Sequence, residues 1–199
     1  MVSQVVGFKK IKFYTLENVG SGELEMPEQE MHTTAYWLTI PRELLSTLDF
    51  PLEQRRDGVV ALANTLKTVA TLFLMCDRSD LGVALGDNSQ GTASVEKAFK
   101  RPGPAAPPGA GSELGPAYEP NVFLYDNYPG GIGFSEPLYR LHSKLLQESK
   151  NLIQSCPCFE GCPSCVGPVG EVGVKGKEIA LAILERIVSE VESCPREKN

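Results

Sequence analysis

Histidine is scarce in this chain. Only His32 and His142 occur among 199 residues, and neither neighbours a serine or cysteine arrangement that suggests a catalytic triad. No pair of carboxylates stands out as an acid–base couple either. The sequence therefore shows no recognisable active site, and we expect no catalysis from this chain by itself. Long apolar runs are missing as well. The most apolar segment, "VATLFLMC" from Val69 to Cys76, falls far short of the ~18 residues of a membrane span. The opening "MVSQVVGFKKIKFY" has no long apolar stretch before a small-residue cleavage site, so it does not read as a secretory signal. These absences set the expectation of a soluble, cytoplasmic protein whose thiols stay reduced.

Positive charge is also in deficit. Nineteen Lys and Arg against 25 Asp and Glu give a net charge of −6, which argues against a protein that coats nucleic acid with its whole surface. Lys9, Lys10 and Lys12 cluster, and Arg55 adjoins Arg56. These read first as solvated faces, with a local phosphate-binding patch as the alternative. A nucleotide loop is missing too. "GPVGEVGVKGKE" resembles one superficially, but Glu171 stands where the first glycine is needed and Glu178 follows Gly176-Lys177. The hydroxyl that would hold Mg2+ is not supplied, so we expect no ATP binding here.

What is present suits a folded domain. The chain is 42% hydrophobic and 22% charged, enough to build a core without cysteine staples. "GFKKIKFYTL" alternates as a strand, with Ile11, Phe13 and Thr15 on one face. "NVGSGELEMPEQE" reads as turn chemistry, and "HTTAYWLTI" as a second strand that could pair with the first. Pro41 can open a short helix through "RELLSTL". A long helix from about Gln54 to Met75 carries a stripe from Val59 to Leu74 at spacings of three and four. Cys76 at its end reads as a small buried hydrophobe. "DRSDLGVAL" gives a turn and a strand, and "NVFLYD" a buried strand. Arg101 to Pro120 is dominated by proline, glycine and alanine and is expected to form a mobile loop inside one domain spanning 1–199. A helix is expected over about Phe134–Ile153, with His142 on its surface. Another begins near Lys177 and buries Ile179, Ile183, Leu184, Ile187, Val188 and Val191. The fold class is α+β: a small, mostly antiparallel sheet packed with several helices, with a cysteine loop between the last two helices.

That loop, "SCPCFEGCPSCVGP", holds four of the six cysteines: Cys156, Cys158, Cys162 and Cys165. Four thiolates at C-x-C-x3-C-x2-C spacing can surround one Zn2+ as a closed, structural site. Gly161 lets the backbone curl, and Pro157 and Pro163 restrict the unfolded loop. Disulfides, an iron–sulfur cluster, or a redox dithiol built on "CPSC" are the alternatives. Upstream, "YDNYPGGIGF" ends a strand at Tyr125-Asp126 and enters a helix through Gly130, Gly131 and Gly133. Such glycines can cradle a phosphate, but with no lysine at the required spacing they read as a tight turn, with Asp126 satisfying backbone donors.

Taken jointly, "VFLYDNYPGGIGFSEPLY", a helix and "CPCFEGCPSCVGP" resemble the MrfA-like zinc-binding domain, which lies at the C-terminus of superfamily-2 DNA helicases with DEAD/DEAH-type motors. "CDRSDLGVAL" is similar to the family's stretch before a variable loop. The resemblance covers roughly residues 55 to 190, and the N-terminal strands more loosely. It implies zinc held by Cys156, Cys158, Cys162 and Cys165, and a non-catalytic accessory role in ATP-dependent DNA unwinding during DNA repair. ATP and Mg2+ would belong to motor domains in cis, whose Walker A and DEAD/DEAH motifs this chain does not contain. It would then be an excised C-terminal domain or a protein that keeps only this module. DNA is an implied partner. The rival expectation is an interaction module that recruits a repair partner such as a nuclease without touching DNA.

Overall fold

The computed structural model describes residues 2–3, 7–24, 29–87, 94–96 and 118–193. Most of residues 101–120, the expected mobile loop, lies outside that set. Tyr118 within it is buried, and Pro120 already begins a strand.

Among the described residues the N-terminal strands pair only with each other. β1 (Val2–Ser3) meets β4 (Gln29–Glu30), and β2 (Gly7–Ile11) meets β3 (Asn18–Glu23) as a two-stranded antiparallel ribbon. Every residue of β2 is exposed, so its alternation does not mark a half-buried strand. The expected pairing of this segment with "HTTAYWLTI" does not occur, because "NVGSGE" supplies the partner strand and residues 12–16 form the turn. Glycines spaced by two are compatible with a ribbon whose faces carry little.

β5 (Ala35–Thr39) instead joins the main sheet, which is antiparallel throughout and ordered β5-β8-β6-β7. β6 spans Leu81–Asp87, β7 Ser94–Glu96 and β8 Pro120–Asp126. β6 and β8 stay in register from Leu81 opposite Asp126 to Asp87 opposite Pro120. Strand alternation turns Tyr36, Leu38, Leu81, Leu85, Val122 and Leu124 toward the helices, and all are buried.

α1 (Arg42–Ser46) follows Pro41 as expected, and α2 (Leu52–Leu74) runs through the core. Every residue from Gly58 to Leu66 is buried, so this helix is apolar almost all round. Its length and hydropathy would also suit a membrane span, but it packs inside the protein. It closes at Met75, a non-glycine in the left-handed region (φ 50°). α3 (Ser135–Arg140) and α4 (His142–Ser155) replace the single helix expected over 134–153. Leu141 leaves helical dihedrals (φ −94°, ψ 9°), and a hydrophobic stripe cannot register one deviating residue. His142 lies on that stripe, four residues after Leu138 and three before Leu145. It is therefore half-buried rather than on the surface, and its Nδ1 lies 2.7 Å from the Tyr36 hydroxyl.

α5 (Val169–Val172) is one turn, and α6 (Gly176–Ser193) buries the face expected of it from Ile179 to Val188, while Val191 near its end is only partly buried. α2 and α6 pack very closely. A Cβ on Gly58 would sit 2.3 Å from Ile179 Cγ2, so only glycine fits there.

Candidate metal centre

α4 ends at Cys156, whose extended backbone (φ −73°, ψ 122°) turns the chain out of the helix. Cys158 follows after Pro157. A tight turn then returns the chain: the amides of Cys165 and Gly167 both donate to the Cys162 carbonyl, at 3.0 and 2.9 Å. Gly161 makes the turn possible at φ +131°, where an added Cβ would lie 2.7 Å from Val166 Cγ2.

The four sulfurs form a closed ring. Cys156 is 3.5 Å from Cys158 and 3.5 Å from Cys162, while Cys165 is 3.4 Å from Cys158 and 3.5 Å from Cys162. All four lie within 4.8 Å of one another. A regular tetrahedron with Zn–S bonds of ~2.3 Å has edges of about 3.8 Å, inside that range. A disulfide needs ~2.05 Å, and the cysteines here are free thiols. The cage has the size of one ion, not of a multi-iron cluster, and it gives no pair of thiols the isolation of a redox dithiol.

Electrostatics agree with a cation at the centre. Four thiolates this close would repel one another strongly without one. Burial pushes the Cys165 thiol up to about 12. Hydrogen bonds from Cys165 and Cys156 bring Cys162 down to about 7. A bound cation would favour thiolate at every position of the ring.

Three further residues support the loop. Lys177, in the first turn of α6, points its Nζ at the Cys156 carbonyl (2.8 Å), the Cys158 carbonyl and Cys158 Sγ (3.3 Å). Its positive charge offsets part of the negative charge of a Zn2+–thiolate4 group. From α2, Asn64 donates through Nδ2 to the Val166 carbonyl at 3.1 Å. The Thr65 hydroxyl lies 3.3 Å from the Cys165 carbonyl and 2.9 Å from that of Ala61. In the sequence Lys177 marks the start of the last helix and sits in the incomplete nucleotide loop, neither of which points to the cysteines. Asn64 and Thr65 do carry a sequence signal: they are two polar residues inside the otherwise apolar run "VVALANTL".

The region from residue 62 to residue 166 matches the family model described as the MrfA Zn-binding domain. This chain belongs to the MrfA Zn-binding domain family. The match includes α2 from Leu62, the sheet strands β6 and β8, and all four cysteines. Among relatives, the chain is 36% identical over 182 residues to the uncharacterized ATP-dependent helicase YprA of Bacillus subtilis, covering 90% of this chain and 20% of YprA. It is 37% identical over 73 residues to the uncharacterized protein MJ1572.1 of Methanocaldococcus jannaschii, covering 34% of this chain and 63% of that protein. Among solved structures it resembles the DUF1998 helicase MrfA bound to DNA, at 34% identity and a TM-score of 0.60, over 92% of this chain and 20% of that one. The chain thus spans about one fifth of the length of the helicases it resembles. In a zinc-binding family, a cage of four cysteines this compact fits a structural zinc ion with no position left for substrate.

The glycine turn is a separate construction. Asp126 is fully buried at the end of β8, and its Oδ2 accepts from the amides of Ile132 (2.6 Å), Gly133 (2.8 Å) and Phe134 (3.3 Å). The Thr34 hydroxyl adds a fourth bond at 3.2 Å. Gly130, Gly131 and Gly133 all have positive φ, and a Cβ on Gly131 would lie 2.5 Å from Thr34 Oγ1. The glycine amides that could have met a phosphate are therefore engaged: Gly133 on Asp126, Gly130 on the His32 carbonyl at 2.7 Å and Gly131 on the Tyr128 carbonyl at 3.0 Å. This turn packs against the start of β5, whereas the cysteines pack against α2.

Proposed function

We propose that this chain is the zinc-braced accessory domain of an ATP-dependent DNA helicase acting in DNA repair, and that it performs no catalysis itself. Cys156, Cys158, Cys162 and Cys165 are the metal ligands in this reading. ATP and Mg2+ belong to motor domains elsewhere in the helicase, and the location is the cytoplasm. The observation that carries the proposal is the position of the sulfur cage. It ties the end of α4 to the start of α6 and rests on the middle of α2, so one ion fixes three core helices. The resulting rigid surface docks on the motor or guides a DNA strand. Support comes from family membership, from YprA as a helicase relative, and from the DNA-bound state of the similar MrfA structure.

Elemental analysis of the purified protein should find one zinc per chain. A strong chelator and Cys162→Ser should each lower the melting temperature, because metal binding here is folding free energy. A protein that melts identically with and without zinc would refute the brace. An isothermal titration against helicase motor domains tests the docking role, and no heat of binding would count against it.

A further inference from the structure

The ribbon formed by β2 and β3 is unlike the rest of the surface. A two-stranded ribbon without further support is marginally stable in water. This one nevertheless exposes Phe8, Phe13 and Tyr14, the last two at 87% and 92%. One face is floored by glycine. Lys10 stands opposite Gly20 and Phe8 opposite Gly22, so no side chain of β3 rises beside them. The Phe8 ring lies flat enough over Gly22 that a Cβ there would come within 2.7 Å of it. The Lys10 ammonium is 5.7 Å from the centre of that ring. At the tip, Phe13 and Tyr14 meet edge to face at 5.2 Å. Three lysines, Lys9, Lys10 and Lys12, gather within four residues of a chain whose net charge is −6. Lys12 is engaged by Glu17 at 3.0 Å.

We propose that this ribbon is a binding site for single-stranded DNA, with unpaired bases stacking on the Phe13–Tyr14 tip, while Phe8, held between Gly22 and the Lys10 ammonium, braces the ribbon beneath it. Lys9 and Lys10 meet the phosphates. Flat rings interleaved with cations are what a single strand requires, since every base offers a π-face and every nucleotide a charge. A protein surface needs no such concentration of positive charge, and duplex DNA keeps its bases stacked out of reach. The assignment deepens the accessory-domain reading, because it names the strand that domain would guide. It does not depend on the zinc brace, which lies on other elements.

The test is a titration of the zinc-loaded chain with a single-stranded oligonucleotide carrying 2-aminopurine, whose fluorescence reports stacking. Phe13→Ala/Tyr14→Ala should weaken binding roughly tenfold or more and abolish the fluorescence change. Lys9→Gln/Lys10→Gln should lower the slope of log affinity against log salt by about 1.4, or ~0.7 per lost phosphate contact. Zinc content and melting temperature should be unchanged in both variants, since these side chains are exposed. Unchanged affinity in both variants would overturn the site. So would an absence of binding by the parent chain, or binding of helicase motor domains that the tip variant alone abolishes. None of those results would disturb the zinc measurement on which the accessory-domain reading rests.

Discussion

Replacing Asn64 by leucine asks whether α2 holds the sulfur cage or merely fills the core. The Asn64 amide donates to the Val166 carbonyl at 3.1 Å, and both residues are buried. Leucine has a related shape but no donor, so the carbonyl would lose its partner where water does not reach. A hydrogen bond of this kind contributes about 0.5–1.5 kcal/mol net, and a buried acceptor left unpaired costs about 1–3 kcal/mol. Added apolar burial returns part of this, leaving a loss of about 2 kcal/mol. For a chain of this size each kcal/mol moves the melting temperature by about 2–4 °C, so a fall of roughly 4–8 °C is expected. Gly167 sharpens the effect: a Cβ there would lie 2.8 Å from Asn64 Nδ2, so the loop backbone rides directly on the amide. Calorimetry should be run with saturating zinc and again with the metal stripped. If Asn64 acts on the cage, its effect should shrink by about half or more once the loop is free to relax, since coupled sites are not additive. A shift below about 1 °C with zinc, or one of equal size in both states, would refute the reasoning.

Lys177→Met should weaken zinc binding about tenfold, as loss of an outer partner of a metal site does. Competition with a chromophoric chelator measures it, with circular dichroism confirming an intact fold. Gly58→Ala should destabilise by about 1–3 kcal/mol in urea unfolding, because the new methyl would overlap Ile179. Burial holds the His142 ring below its ordinary value of 6.5. The unfolded chain therefore takes up the proton first, and stability should be full above about pH 6.5 and decline as pH falls through the lower folded value. Urea midpoints measured across that range should show the decline, and His142→Gln should flatten it.

The helices and the central strands were legible because burial imposes a period on the sequence. α2, α6, β6 and β8 each bury a continuous stripe or run. The cysteine spacing was equally legible, since four thiols in ten residues have few uses. The ribbon was misread for the opposite reason. No described residue buries the faces of β2, so it shows alternation without a core to explain it, and β3 has too many glycines to resemble a strand. The break at Leu141 was invisible because the apolar stripe continues across it. Support of the cage by Asn64 and Thr65 was hidden by distance. About a hundred residues separate those side chains from the carbonyls they meet, and no local pattern carries such a relation.

The β6–β8 ladder has a consequence for how this domain can change. Chain leaves β6 at Asp87, returns along one side of it as β7, with Glu96 opposite Leu85, and comes back on the other side as β8, where Pro120 lies opposite Asp87. Whatever joins Glu96 to the start of β8 need only cross from one side of β6 to the other. Closing a longer excursion costs little, about 0.6 kcal/mol for each doubling of its length. The ladder is thus a port. Segments of very different length, or a whole inserted module, can be spliced between residues 97 and 117 while the sheet, α2 and the metal cage keep their places.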